Sequence, residues 1–276
     1  MSTSILVLTS ISLLYSIILA DIRVYSVSIF NFSGDEMDLN RFTGFVRRCV
    51  DDYKMLVPGD RVAVGVSGGK DSMALLASLR HLRRYHPSRF ELEAITIDMG
   101  FPDMDFTPVS AWCEANEVPY TIIKTDIREI VFDARQEENP CSLCSKMRRG
   151  ALNDAIKARG CNKLALGHHF DDAVETFLMN LLFTGQIACF KPGTYMSRAD
   201  VTQIRPMLYL GEGSIVSLVN ELNLPVVPTT CPEDKHSKRE EIKTLIARLS
   251  AEYPDLKDKV FGAMQRLPLD GWGKAE

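Results

Sequence analysis

The chain has 276 residues, 46% of them hydrophobic and 25% charged, with a net charge of −4. This composition is globular and excludes a disordered chain, a collagen-like repeat and a disulfide-stapled miniprotein. It also excludes a bulk basic field, so any contact with nucleic acid has to come from a local patch. The seven cysteines, odd in number and few for the length, suit a reducing, cytoplasmic compartment where thiols are free to bind metal, rather than a secreted disulfide framework.

Residues 1–36 do not match the rest. Ser4 to Ala20 reads SILVLTSISLLYSIILA, an uncharged apolar run at the lower limit for spanning a bilayer. Its first basic residue, Arg23, comes after the run, whereas a secretory signal starts positive. The run suits a start codon placed too early, with Met37 the true start, a membrane anchor, or a signal peptide; the reduced-thiol pattern argues against the last. Only an anchor would make a membrane one of the partners.

From Met37 the pattern is that of one domain over residues 37–267, followed by a tail over 268–276. Phe42, Phe45, Val46, Cys49, Val50 and Tyr53 recur at helical spacing, which predicts an amphipathic opening helix. Pro58-Gly59 ends it. Arg61 to Val66 is a short buried strand, Asp71 to Tyr85 a helix, Leu92 to Asp98 a strand, Thr107 to Asn116 a helix and Tyr120 to Thr125 a strand. Ser145 to Arg159 is helical, Lys163 to Leu166 a fourth strand, Asp171 to Phe183 a helix and Thr202 to Ile204 a fifth strand. Glu212 to Leu222, Arg239 to Ser250 and Leu256 to Leu267 make a helical C-terminal part. Strands separated by helical stretches imply βαβ units, hence an α/β fold: a doubly wound parallel sheet of about five strands with helices on both faces. Such sheets bind ligands beyond the carboxyl ends of their strands, where the strand order reverses.

Three segments carry chemistry. After the first strand comes Ser67-Gly68-Gly69-Lys70-Asp71-Ser72, then a helix. Glycines let backbone amides approach an anion, the serines add donors, and the helix N-terminus is positive, so a phosphate is the natural occupant. The spacing matches neither a Walker loop nor GxGxxG. A tight strand–helix turn would also use Gly-Gly, with less need of the whole hexapeptide. The second segment is Cys141-Ser-Leu-Cys144, followed by Lys146, Arg148 and Arg149. A CxxC at a helix start brings two sulfurs to one centre, and the helix end and basic residues favour thiolates. Zinc, redox and iron–sulfur uses remain open. Cys231, in a loop-like TTCPED stretch, is the best third ligand; Cys49, Cys113, Cys161 and Cys189 read as small core residues. Three thiolates around an iron–sulfur cluster leave one iron free to take sulfide, which suits sulfur transfer. The third segment, Gly167-His168-His169-Phe170-Asp171-Asp172, follows the fourth strand. Two acids suit a helix start, but a cap needs one acid and no histidines; phosphate and Mg²⁺ contacts account for the surplus.

SGGKDS after a buried strand resembles the pyrophosphate loop of the PP-loop ATP pyrophosphatases. Together with CSLCSKMRRGAL, LGHHFDDAVETFLMNLLFTG, IRPMLYL and TTCPEDKHSKRE, it resembles the TtcA family, the tRNA 2-thiocytidine synthases, over Phe42 to Met264. The resemblance implies a HUP-type (adenine-nucleotide α-hydrolase-like) fold. It implies pyrophosphate binding by Ser67, Gly68, Gly69, Lys70, Asp71 and Ser72, with Asp71 also holding Mg²⁺, and adenine near Val66, Ile97, Asp98 and Met99. Gly167 and Asp172 would contact ATP, and Cys141, Cys144 and Cys231 would hold a 4Fe–4S cluster. The implied enzyme adenylates cytidine O2 and replaces it with sulfur, with Lys70, Asp71 and Arg148 as catalytic residues. Its implied partners are tRNA, a sulfur donor (sulfide or a cysteine desulfurase) and a second copy in a homodimer. Zinc in place of the cluster, and a PP-loop enzyme that acts on another substrate without tRNA, are the alternatives. Any RNA patch would draw on Lys146, Arg148, Arg149 and Lys157, and on Lys235, His236, Lys238 and Arg239.

Overall fold

The computed structural model describes residues 37–135, 140–233 and 238–266, and Trp272. The apolar segment over residues 1–36, with its possible start, anchor or signal, lies outside the described residues, as do Lys235 and His236. Among the described residues no helix is long and apolar enough to cross a membrane.

Helix α1 (Leu39–Asp52) opens the described chain, its N-terminus capped by the Asp38 carboxylate accepting from Arg41 N–H. Phe42, Val46, Cys49 and Val50, four of the residues at helical spacing, form its buried stripe. Strand β1 (Arg61–Gly65) follows, then α2 (Lys70–Leu82), β2 (Glu91–Asp98), α3 (Thr107–Ala115) and β3 (Tyr120–Lys124). A π-helical turn, Glu129–Ala134, precedes α4 (Pro140–Ala158). Strand β4 (Lys163–Ala165) leads into α5 (Phe170–Met179), which continues as a second π-helical turn, Asn180–Thr184. Strands β5 (Gly193–Met196) and β6 (Val201–Ile204) come next, then α6 (Glu212–Glu221), α7 (Lys238–Glu252) and α8 (Leu256–Arg266).

The sheet order is β3-β2-β1-β4-β6-β5. All pairs are parallel except β5 with β6. The expected doubly wound parallel sheet of about five strands is present among the described residues with a sixth strand added as an antiparallel edge. The added strand, Gly-Thr-Tyr-Met, is a half-exposed edge strand with no apolar run to announce it. On one face Ala63, Ile95, Ile97, Leu164 and Val201 pack with Leu152, Ala155 and Ile156 of α4. Alternate strand residues turn the other way, and α2, with Met73, Leu75, Leu76, Leu79 and Leu82 buried, packs against β1 and β2. Helices on both faces match the doubly wound expectation. The order reverses between β1 and β4, so the loops after these two strands part company and open a crevice.

Trp272 lies in the stretch read from sequence as a tail. It is fully buried, set edge-on against Phe261 with ring centroids 5.2 Å apart, and donates from Nε1 to the Phe190 carbonyl at 2.9 Å. Of the cysteines expected in the core, Cys49, Cys113 and Cys161 are buried and Cys189 is half-buried.

Candidate functional site

The loop after β1 is braced by its own serines. Ser72 Oγ donates to the Gly69 carbonyl at 2.8 Å and accepts from the Ser67 N–H at 3.2 Å. Gly68 sits at φ +85°, and a Cβ there would meet Val227 Cβ at 2.8 Å. Its carbonyl accepts from Val227 N–H at 2.9 Å, so only glycine fits. The loop ends at the N-terminus of α2, where the backbone N–H groups and helix dipole favour an anion.

The loop after β4 docks directly on this one. A Cβ at Gly167 would lie 3.1–3.2 Å from the Asp71 carbonyl group and the Ser72 nitrogen, so the first and third sequence motifs meet at a backbone contact. At the start of α5, Asp172 Oδ2 accepts from His169 N–H at 3.0 Å; this is the helix-cap role. Its other oxygen pairs with Arg239 Nη1 at 2.6 Å, and the same nitrogen lies 3.1 Å from Glu175 Oε2. Burial pushes the Glu175 carboxyl up to about 7 against the pull of Arg239. Asp171 accepts from Lys257 Nζ at 2.6 Å and from Glu212 N–H at 2.8 Å. Burial raises its pKa, but these donors outweigh burial and hold it below the usual carboxylate value.

Lys70 turns toward α6: its Nζ lies 2.9 Å from Glu212 Oε1 and 3.2 Å from Asp71 Oδ1. Burial lowers its pKa, and the contacts with Glu212 and Asp71 together more than restore it. Asp71 Oδ1 is buried and receives no hydrogen bond among the described residues.

Helix α4 carries the second motif. At 100° per residue Cys141, Cys144, Arg148 and Leu152 share one face, while Lys146 and Lys157 point the other way. The inner face closes a cleft of about 690 Å³ lined by Ser67, Asp71, Ser72, Gly167 and Asp172, and by Cys141, Cys144, Arg148 and Cys231. The Cys231 loop is tied down by Thr230 Oγ1 donating to the Pro102 carbonyl at 2.8 Å, and Cys144 Sγ touches Met99 Sδ at 3.6 Å. The three thiols, distant in sequence, thus open on one cleft beside the phosphate loop. All are free cysteines.

Three expectations are corrected. Helix end and basic residues do not favour the Cys141 and Cys144 thiolates here: burial first, then the neighbouring Cys231, raises both pKa values, with Arg148 opposing at Cys144. Arg239 is engaged with Asp172 and Glu175, so it is not a free cation for RNA, whereas Lys238, in an exposed pair with Glu241 at 3.1 Å, stays open to solvent. Lys157 sits in the last turn of α4, about four turns beyond the cysteines, and does not join a patch with Arg148. Arg148 and Arg149 do line the cleft, and burial lowers the pKa of Arg148.

Val66, Gly68, Gly69, Lys70 and Asp98 flank the cleft rather than line it. Val66 is buried, with its N–H bonded to Ile95 and its carbonyl to Thr96 Oγ1; Asp98 Oδ1 accepts from Gly100 N–H at 3.0 Å. The cleft also holds His168, Gln203 and Arg205. His168 stood in the segment read as making phosphate and Mg²⁺ contacts, Arg205 stood inside a quoted motif without a role of its own, and Gln203, a lone polar residue in a strand, gave no local signal.

Among the described residues no three His, Cys, Asp or Glu side chains converge on the single point that one metal ion needs. A multi-iron cluster asks something different, one iron for each thiolate. Burial and the neighbouring Cys231 raise the Cys141 and Cys144 thiols, so a cationic centre bound there would release protons. The three-thiol donor set fits an iron–sulfur cluster.

Residues 42–249 match the PP-loop domain family. Two tRNA-cytidine(32) 2-sulfurtransferases align over most of their length: that of Syntrophotalea carbinolica at 37% identity over 82% of this chain and 87% of its own, and that of Geobacter sulfurreducens at 36% over 83% and 91%. The chain belongs to the TtcA family of PP-loop proteins. Among solved structures, the U34-tRNA thiolase NcsA from Methanococcus maripaludis, determined with its 4Fe–4S cluster, is similar with a TM-score of 0.66 and 25% identity over 80% of this chain and 77% of that one. The TtcA assignment agrees with the five sequence motifs, and the thiolase supports the HUP-like fold.

Proposed function

We propose that the protein is an ATP-dependent tRNA-cytidine 2-sulfurtransferase, acting at position 32 as its relatives' names state, with AMP and pyrophosphate as by-products. The observation that carries this is the single cleft shared by the phosphate loop, Cys141, Cys144 and Cys231. The braced loop from Ser67 to Ser72 and the N-terminus of α2 receive the pyrophosphate portion of ATP. Gly167 lets the second loop close against the first, and Asp172 lies beside it. Asp71, whose buried Oδ1 lies 3.2 Å from Lys70 Nζ and is freed when that lysine turns to the phosphates, holds Mg²⁺, a hard ion that takes carboxylate and phosphate oxygens. Adenine lies toward the β2 end, near Asp98 and Met99.

Cytidine O2 attacks the α-phosphorus and pyrophosphate leaves, because an oxygen bound to a base carbon is a poor leaving group until it is adenylated. Negative charge grows on the phosphoryl oxygens, and Arg148, without a carboxylate partner among the described residues, and Lys70 stabilise it. Lys70 reaches the phosphates by exchanging Glu212 for the ligand. Cys141, Cys144 and Cys231 would hold a 4Fe–4S cluster, which when bound would carry the exogenous sulfide that replaces the adenylated oxygen at C2, with AMP leaving. The enzyme works in the cytoplasm as a homodimer, with sulfide or a cysteine desulfurase as the sulfur source. The target base must be unpaired to reach the cleft, as an anticodon loop allows.

The test is the thiolated-nucleoside profile of tRNA from a strain lacking the protein. Loss of 2-thiocytidine with other thiolated nucleosides retained is the expected result. Unchanged 2-thiocytidine contradicts the assignment.

A further inference from the structure

The cleft runs past the nucleotide loops to the ends of β4, β5 and β6, where Leu166, Met196, Gln203, His168 and Arg205 line it. The register explains the grouping. Gln203 pairs with Leu164 on one side and Thr194 on the other, and Met196 stands opposite Val201. With side chains alternating along each strand, Leu164, Leu166, Met196 and Gln203 share the face beneath α4. The result is a slot with apolar walls and one carboxamide, which makes no hydrogen bond among the described residues.

Two neighbours carry unmet polar atoms. Arg205 is 6% exposed, yet its Nε has no partner. Its guanidinium lies over Phe190, 4.8 Å from the ring centroid, and reaches only the Lys191 carbonyl; no carboxylate among the described residues pairs with it. His168 Nδ1 is likewise buried without a partner, and its ring packs on Phe190 at 5.0 Å. A buried cation without a counter-charge is costly unless an anion completes the site.

We infer that this end of the cleft is the pocket for the target nucleotide, an inference that rests on the tRNA-cytidine assignment above. Gln203 reads the base edge, Arg205 takes a phosphate of the same nucleotide, and Leu166 and Met196 flank the ring. In phosphoryl transfer the attacking oxygen approaches in line, opposite the leaving group. The phosphate loop follows β1 and the adenine side lies toward β2, which leaves the β4–β6 side for the acceptor. A carboxamide presents a donor and an acceptor side by side. It matches the 4-amino group and N3 of cytosine and leaves O2, the third group on that edge, free to react.

The experiment uses the full-length, anaerobically prepared protein with ATP, sulfide and two anticodon stem-loop RNAs. One carries cytidine at the target position, the other its analogue lacking the 4-amino group. Wild type should prefer cytidine, and Gln203→Leu should shrink that preference by about 10–100-fold while ATP affinity stays within about twofold. A preference unchanged within about twofold, at normal ATP affinity, overturns the pocket. Should the leucine variant bind ATP poorly, Gln203→Glu decides, because its carboxylate cannot donate to N3. It must cut thiolation of both RNAs at least about tenfold at pH 8 with ATP affinity intact, and unchanged rates overturn the pocket. Wild-type protein that thiolates neither RNA contradicts the tRNA-cytidine assignment itself.

Discussion

Replacing Arg239 with methionine removes the cation that lies 2.6 Å from Asp172 and 3.1 Å from Glu175. The side chain of Glu175 is 6% exposed and that of Asp172 20%, against 36% for Arg239. Breaking a fully buried pair by removing one partner costs about 3–5 kcal/mol, and an exposed pair contributes about 0–1 kcal/mol. Two sheltered acids and a half-exposed base place the loss at about 2 kcal/mol near neutral pH, or a fall in Tm of about 4–8 °C for a domain of this size. The loss depends on pH. The Glu175 carboxyl goes from 4.5 to about 7 on folding, burial being the cause and Arg239 the opposing attraction. A carboxyl raised in the native state binds its proton more tightly there, so stability falls as pH rises through that window. At pH 5.5 Glu175 is protonated in both proteins and the variant lacks only the Asp172 contact, a deficit of about 1 kcal/mol. At pH 8 the variant must bury an unpaired charge, and the deficit reaches about 2 kcal/mol or more. Calorimetric Tm values of both proteins at the two pH values provide the measurement. Equal deficits at pH 5.5 and pH 8, or none at either, refute the reasoning.

Three further outcomes follow from named contacts. Gly68→Ala forces a Cβ to within 2.8 Å of Val227 at φ +85°; ATP affinity should drop at least about tenfold in equilibrium binding, and wild-type affinity would contradict the loop geometry. Trp272→Ala empties a fully buried indole site and should cost about 3–5 kcal/mol in urea unfolding, whereas a loss under about 1 kcal/mol would show that the last described residue does not belong to the core. Charge reversal of Arg148 together with Arg149, both on the cleft wall, should weaken tRNA binding more than ATP binding; equal losses, or none, count against an RNA role for that wall.

The parts of the fold that announced themselves were those with strong local signals. Val62, Ala63 and Val64 run straight into SGGKDS, and Leu164 and Ala165 into GHHFDD, so both loops at the crevice could be placed from pattern alone. The buried leucines of α2 marked that helix in the same way. The edge strand Gly193–Met196 was not legible, because an edge strand exists only through its partner β6 and this one lacks an apolar face. Trp272 gave no period to read; its burial comes from Phe190 and Phe261, far away in sequence. Arg239 looked like surface charge beside Lys238, and only the folded arrangement sets it against Asp172 and Glu175. The same limit hid Gln203 and Arg205, whose significance lies in the cleft that β4, β6 and α4 enclose together. The thiols lie between these cases: CxxC was visible, but the nearness of Cys231 depends on a loop tied to Pro102.

The most direct measurement incubates anaerobically purified, iron- and sulfide-bearing protein with tRNA, ATP, Mg²⁺ and sulfide, and quantifies nucleosides, AMP and pyrophosphate together. The account predicts 2-thiocytidine in step with AMP and pyrophosphate, and no 2-thiocytidine when Cys231 is replaced by serine. ATP turnover without any 2-thiocytidine in protein that carries its iron, or undiminished thiolation by Cys231→Ser, would contradict it.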